Sequence, residues 1–306
     1  MKVAITGATG FVGSRLVKRL QTEGHTVLVL TRDRDRAQKV FPSSSFPKLE
    51  FVAYTPLQSG DWQTAISGCD AVINLAGEPI SERWTPERKR AILESRKVGT
   101  EKIVEAIAQA AVKPTVLVSG SAIGYYGTSE TAKFDETSAP DPANFLSQVC
   151  QDWEAAAQVV RTSGTRLVIL RIGIVLGMGG AIARMITPFR LYAGGPIGSG
   201  KQWFSWIHRD DLVDLMIKAM TDNQMQGVYN ATAPNPVRMN DLCNALGKAM
   251  DRPSWLPVPD FAIQALLGDG AQVVLEGQQV FPKRTQTTDF KYQYPEVESA
   301  LKSIVT

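Results

Sequence analysis

Cysteine is scarce in this chain. Its 306 residues hold three, Cys69, Cys150 and Cys243, scattered and odd in number. That pattern excludes a disulfide framework, and no pair has metal-ligand spacing, so no metal site is expected. Charge of one sign is lacking too. The net charge is +3, too mild to point to nucleic acid or a membrane surface. No apolar run reaches membrane-spanning length. The chain reads as opening directly on its first strand without a signal peptide. A cytoplasmic protein is expected, although an organelle protein missing its transit peptide reads the same way. Internal repeats, low-complexity tracts and flexible linkers are absent. What remains is an ordinary globular composition, 44% hydrophobic and 21% charged, long enough for a large core or two domains.

The most informative stretch is the start, MKVAITGATGFVG. Residues 2–5 read as a short buried strand, and residues 11–20 run at helical spacing. Between and beyond them Gly7, Gly10 and Gly13 form a G-x-x-G-x-x-G pattern. Gly7 permits the tight turn, Gly10 lets a pyrophosphate approach the backbone, and Gly13 lets the new helix pack close to the strand. Free amides and the positive helix end then face the anion. Glycines in this setting, after a strand and opening a helix, point to dinucleotide binding.

TVLVL at 26–30 is a second buried strand. Strand, helix and strand make one βαβ unit of a parallel sheet. The residue closing the second strand selects the cofactor. An acid there would hold the adenosine ribose hydroxyls and favour NAD. Thr31 stands in its place, followed by Arg32, which suits a 2′-phosphate and therefore NADP(H). The alternative is a solvated loop, Asp33-Arg34-Asp35-Arg36, whose Asp33 reaches the ribose.

The alternation continues. Residues 49–54 and 71–75 read as the third and fourth strands, with a short helix at 61–66 between them. The fourth ends in Leu75-Ala76-Gly77-Glu78, small residues that let a cofactor approach the sheet edge. Residues 87–111 form a long helix carrying Arg96, either a cofactor contact or a solvated charge. Residues 115–118 are a fifth strand, which ends in SGSAIGYYG, residues 119–127. Its hydroxyls and phenols are candidates for carbonyl polarisation and proton transfer, and a turn with two surface tyrosines is the other reading. Residues 145–161 make a helix with one apolar face. Residues 167–170 are a sixth strand that runs on to 176.

Beyond residue 177 the pattern breaks. A glycine-rich loop, the segment WFSWIH, a helix at 212–220 capped by Asp210-Asp211 and a strand at 227–230 precede a tail that reads as a small α/β cap. Arg184, Arg190, Lys201, Trp203, Trp206 and Arg209 suit a phosphorylated or nucleotide-linked ligand, and equally a packed lobe interface.

TGATGFVG, NLAG, SGSAIGYYG and WIHRDDL together resemble the extended short-chain dehydrogenase/reductase superfamily, to which nucleotide-sugar epimerases and dehydratases belong. The fuller wording NLAGEPI…RW, FLSQVCQDWEAAA and PKRTQ…F-x-Y is similar to its epimerase-like branch, whose C-terminal segment is a domain of unknown function. The resemblance implies an α/β fold: a Rossmann-type doubly wound parallel sheet of about seven strands with a smaller C-terminal α/β substrate lobe. An NADP(H)-binding Rossmann domain would span 1–235, with 178–205 contributing to the substrate lobe, and a small substrate or cap domain would span 236–306. Gly7, Thr9, Gly10, Phe11, Val12 and Gly13 would hold the pyrophosphate of NADP(H), and Thr31 and Arg32 the adenosine end. Leu75, Ala76, Gly77 and Glu78 would line the nicotinamide-side ribose. Arg96 and Ser119 would join these contacts. The partner implied is a small-molecule substrate, phosphorylated or nucleotide-linked, with no nucleic acid and no membrane, bound by a monomer or homodimer.

One part of the superfamily pattern is missing. Its reaction centre is a Ser or Thr past the fifth strand, then Tyr-x-x-x-Lys on the next helix. Ser121 matches the serine, but the tyrosine's place falls on Leu146 and the lysine's on Cys150. Leucine transfers no proton, and a cysteine on an apolar helix face is a small hydrophobe. Two expectations follow. One is an NADP(H)-binding, epimerase-like oxidoreductase with a non-standard acid/base, Tyr125 with Ser121. The other is a catalytically weak NADP(H)-binding sensor or scaffold.

Overall fold

Seven parallel strands carry the fold in this computed structural model, which describes residues 1–305. They are β1 (Lys2–Thr6), β2 (Thr26–Thr31), β3 (Leu49–Ala53), β4 (Ala71–Asn74), β5 (Val116–Ala122), β6 (Arg166–Ile172) and β7 (Gly227–Ala231). Their order across the sheet is β7-β6-β5-β4-β1-β2-β3. The order reverses at β1, which pairs with β2 on one edge and β4 on the other. Such a switch point opens a crevice at the carboxyl ends of the strands, where open α/β sheets take their ligands.

Alternation along each strand feeds two cores. Val3 and Ile5 point to one face and pack with α1 (Phe11–Thr22) through Leu16, Val17 and Leu20. Ala4 points to the other and packs with Ile103 and Ile107 of the long helix α3 (Pro86–Gln109). Strands buried on both faces need near-continuous apolar sequence, which is why VAIT, VLVL and LVIL read as they do. The remaining helices are α2 (Arg34–Val40), α4 (Phe145–Gln158), α5 (Gly180–Arg190), α6 (Arg209–Thr221), α7 (Met239–Met250), α8 (Asp260–Leu267) and α9 (Val297–Val305), beside shorter turns. A third core joins Ile182 and Phe189 of α5, Leu242 and Leu246 of α7, and Leu301 and Ile304 of α9. Among the described residues, no helix is long and apolar enough to cross a membrane.

Four local expectations are corrected. The charged run after β2 is not a loop: Asp33 caps α2, its carboxylate accepting the Arg36 amide at 2.9 Å. An Asp in extended conformation before a helical turn is a standard N-cap. β5 runs to Ala122, so Ser119 and Ser121 lie inside the sheet, paired with Ile169 and Arg171, and not past its end. β6 stops at Ile172: Gly173 sits tight against the Ser205 carbonyl, 2.7 Å from where a Cβ would stand, and the Ile174 amide donates to that carbonyl at 2.9 Å. Residues Ile174–Leu176 then pair separately with Trp206–His208. Finally, α6 is capped by His208, whose Nδ1 accepts the Asp210 amide at 3.2 Å. Asp210 pairs with Arg15 instead. Asp211 is fully enclosed and accepts the amides of Gln293 and Tyr294 at 2.6 and 3.1 Å, tying down the tail. Burial pushes its carboxyl up to about 6, against the pull of those two amides.

Candidate functional site

The glycine loop is built as the spacing requires, with one change of role. Gly7 has φ of +70°, and a Cβ there would stand 2.9 Å from the Leu75 carbonyl, so only glycine fits. A Cβ at Gly13 would lie 2.2 Å from the Gly7 oxygen. Gly13 therefore lets the helix close on the loop itself. Gly10 is exposed, donates its amide to the Gly7 carbonyl at 3.0 Å and stands at the N-cap of α1. No side chain caps that end and no acid lies in its first turn, which leaves an uncompensated positive helix end for an anion. Thr9 and Val12 are partly buried at this turn. Phe11 turns away from it. Its ring is held by Gly177 and Gly179, where a Cβ would stand 2.9 Å off, and the Arg209 guanidinium lies 4.9 Å above it.

The loop after β4 is pinned to β1 by Thr6, which no sequence motif singles out. The Thr6 hydroxyl donates to Asn74 Oδ1 at 2.7 Å and accepts the amides of Leu75 and Ala76 at 3.0 and 3.1 Å. Asn74 Nδ2 in turn donates to Thr100 Oγ1 on α3 at 2.9 Å. Gly77 lets Arg96 approach closely: a Cβ there would stand 3.0 Å from its guanidinium carbon, a tight contact. Arg96 is no solvated charge. Its Nη1 donates to the carbonyls of Glu78 and Ile92 at 3.0 and 3.2 Å, and its guanidinium lies 5.3 Å over the Trp153 ring. Burial lowers its pKa. It braces the loop at the sheet edge.

At the adenosine end, Thr31 Oγ1 donates to the Asp33 carbonyl at 3.0 Å. Arg32 reaches Glu78, Nη1 to Oε1, at 3.0 Å. The Glu78 carboxylate is thus shared between Arg32, just past β2, and Arg88 on α3.

The expected reaction centre is a buried polar network. Ser121 and Arg171 are register partners on β5 and β6, and Arg171 pairs onward with Asn230 on β7. Their side chains emerge on one face of the sheet. Glu154 arrives there from α4. It accepts Arg171 Nε and Nη2 at 2.8 and 2.9 Å and the Ser121 hydroxyl at 2.7 Å. Tyr126 donates to Asn230 Oδ1 at 2.7 Å and accepts from Arg171 Nη1 at 3.0 Å. Burial opposes the Arg171 charge, but the Glu154 carboxylate outweighs it and raises the pKa. Burial pushes the Tyr126 phenol up to about 12. The half-buried Tyr125 ring lies against the Arg171 guanidinium, 3.3 Å from ring centre to carbon. Ser119 is fully enclosed, and its hydroxyl donates to the Gly120 carbonyl at 3.2 Å.

Leu146 packs against the apolar cluster of Trp84, Ile92 and Val149. Cys150 donates to the Ala122 carbonyl at 3.6 Å, and burial beside Glu154 pushes its thiol up to about 11. Cys69 and Cys243 are buried too, at about 11 and about 12. The native protein should therefore resist iodoacetamide at neutral pH, each thiol reacting about a hundred-fold more slowly than a free cysteine. Peptide mapping by mass spectrometry would show this, with all three labelled once the chain is unfolded. Rapid native labelling of Cys150 would instead mark it as a nucleophile.

Part of the second-lobe basic and aromatic set is tied to the protein's own backbone. Trp206 is fully enclosed and donates to the Asn235 carbonyl, Trp203 donates to that of Glu130, and Arg184 to that of Ser81.

Comparison with known proteins fits this geometry. The model of the NAD dependent epimerase/dehydratase family matches residues 3–232, and that of a domain of unknown function, DUF1731, matches residues 258–304. An epimerase family protein of Arabidopsis thaliana, the SDR39U1 homolog described as chloroplastic, is 50% identical over all of this chain and 87% of its own. Epimerase family protein YfhF of Bacillus subtilis is 37% identical over 100% of this chain and 98% of its own. The crystal structure of human epimerase family protein SDR39U1 with NADPH superposes with a TM-score of 0.88 at 36% identity, covering 100% of this chain and 99% of that one. With the family match spanning its whole sheet and these relatives running its full length, the chain belongs to the NAD dependent epimerase/dehydratase family.

Proposed function

We propose that the protein binds NADP(H) and works as an epimerase-like oxidoreductase on a phosphorylated or nucleotide-linked small molecule, without the Tyr-x-x-x-Lys dyad. The observation that carries the cofactor choice is at the end of β2. Asp33 is engaged as the cap of α2, and Arg32, 71% exposed, is the first charge beyond the strand. The chain's residues fit the group: the uncapped α1 end suits a pyrophosphate and Arg32 a 2′-phosphate. A bound nicotinamide supplies the hydride chemistry. The chain's part is to orient and to handle a proton. Ser121 directs its hydroxyl proton to Glu154, so its lone pairs are what it presents. The phenol of Tyr125 is then the proton donor of this reading, held by its ring on Arg171.

Arg32→Ala should weaken NADPH about ten- to a hundred-fold and leave NADH nearly unchanged, the share of one charge-assisted phosphate contact. Titration of both cofactors checks it, and equal affinities in the unmutated protein would defeat the reading. Tyr125→Phe should remove most turnover with NADPH affinity held within a few-fold. The sensor reading is favoured by Leu146 and by the buried Cys150, whose thiol is pushed up to about 11. It gains if no carbonyl compound or sugar nucleotide changes the near-ultraviolet absorbance of bound NADPH.

A further inference from the structure

Arg32 and Glu78 come from opposite flanks of β1. Arg32 follows β2, on one edge of β1, and Glu78 follows β4, on the other. Their ion pair therefore crosses the carboxyl end of β1, where the glycine loop begins. The two partners are held very differently. The Arg32 side chain is 71% exposed and Glu78 only 27%. The Glu78 amide donates to Ser95 Oγ at 3.1 Å, and its second carboxylate oxygen holds Arg88 Nη1 at 3.3 Å. Arg88 is secured in turn by Glu82 and the Pro79 carbonyl, at 3.0 and 2.8 Å. Glu78 is the fixed member of the pair, and Arg32 is the arm that can leave it.

We propose that Glu78 is a resident counter-ion for Arg32 that a 2′-phosphate displaces, so that this carboxylate tunes the preference between phosphorylated and unphosphorylated dinucleotides. The inference rests on the reading that Arg32 takes the 2′-phosphate. A phosphate monoester carries close to two negative charges and three acceptor oxygens at neutral pH. The carboxylate meets Arg32 through a single nitrogen in an exposed pair, the weak kind of ion pair. Exchange therefore favours the phosphate, but the gain is reduced by the contact given up. An unphosphorylated dinucleotide gives nothing in return for breaking the pair. The pair also neutralises Arg32 while no phosphate is present.

The test titrates 2′,5′-ADP, NADPH and NADH into the unmutated protein, Glu78→Gln, Arg32→Ala and the double variant at low salt. Glutamine keeps the size of Glu78 and removes its charge, and Arg88 keeps Glu82 and Pro79, so the loop holds. Glu78→Gln should tighten 2′,5′-ADP and NADPH about two- to five-fold, the usual weight of one exposed ion pair. NADH should stay within two-fold, and the gain should vanish in the Arg32→Ala background and shrink at high salt. Unchanged affinities in Glu78→Gln would overturn the counter-ion. So would a loss shared by NADPH and NADH, which would make the carboxylate a ribose ligand. Arg32→Ala alone reports on the underlying reading: if it leaves 2′,5′-ADP unaffected, the phosphate assignment falls, whatever Glu78→Gln does.

Discussion

Glu154→Ala should lower the melting temperature by roughly 6–15 °C. The substitution strands Arg171, which is 4% exposed and loses both of its carboxylate contacts. Breaking a buried ion pair from one side leaves an uncompensated charge and costs about 3–5 kcal/mol. In a chain of this size each kcal/mol moves the midpoint by about 2–3 °C. The Tyr126 hydroxyl and the Tyr125 ring remain beside Arg171, but neither replaces the lost carboxylate: burial pushes the Tyr126 phenol up to about 12, and the Tyr125 ring offers only its face. Removing both ions should hurt less. Glu154→Leu with Arg171→Met replaces the pair by apolar groups of similar volume, often close to neutral for stability. Thermal melts of Glu154→Leu, Arg171→Met and the double variant give the coupling directly. Additive effects below about 1 kcal/mol each would show that the pair carries no stability. The same melts bear on Ser121, whose hydroxyl loses its acceptor in Glu154→Ala and becomes free to turn.

That pair also marks where sequence reading stops. The glycine loop, the βαβ unit and Thr31-Arg32 are local signals, each within a few residues, and local signals survive in a linear string. Glu154, Arg171 and Asn230 meet only because β5, β6 and β7 align Ser121, Arg171 and Asn230 in one register row. A trace of this was visible: Arg171 closes the apolar run LVIL, and Glu154 interrupts the apolar face of α4 beside Trp153, Ala156 and Ala157. A charge in either place needs a buried partner, and the two charges are opposite. Thr6 was hidden for a different reason. A threonine at a strand end is unremarkable until the chain after β4 returns to its hydroxyl. The α2 cap is not legible in the sequence, because alternating Asp and Arg are equally at home in a solvated loop and in the first turn of a helix. Phe11 sits inside the motif by sequence, yet its ring belongs to the contact with residues 177–180, which no local pattern announces.

The glycines differ in what a substitution would report. At Gly7 a side chain meets positive φ and the Leu75 backbone, and at Gly13 it meets the Gly7 carbonyl, so either change disrupts the loop before any ligand arrives. Gly10 is the selective probe. Its φ is −77° with extended ψ, a conformation open to β-branched residues, and its one close neighbour is the Gly7 oxygen at 3.1 Å from a Cβ. The rest of the added side chain would project from the exposed N-cap of α1, into the space a pyrophosphate needs. Gly10→Val should therefore weaken NADPH at least about a hundred-fold, since losing the close approach removes the main anchor of the dinucleotide. The melt of the ligand-free protein should fall by only a few degrees, the cost of one mild overpacking contact, about 1 kcal/mol. Gly13→Val should lose both binding and stability. NADPH titration beside the ligand-free melt separates the cases. Normal NADPH affinity in a well-folded Gly10→Val protein would reduce the loop to a turn and remove the pyrophosphate from it.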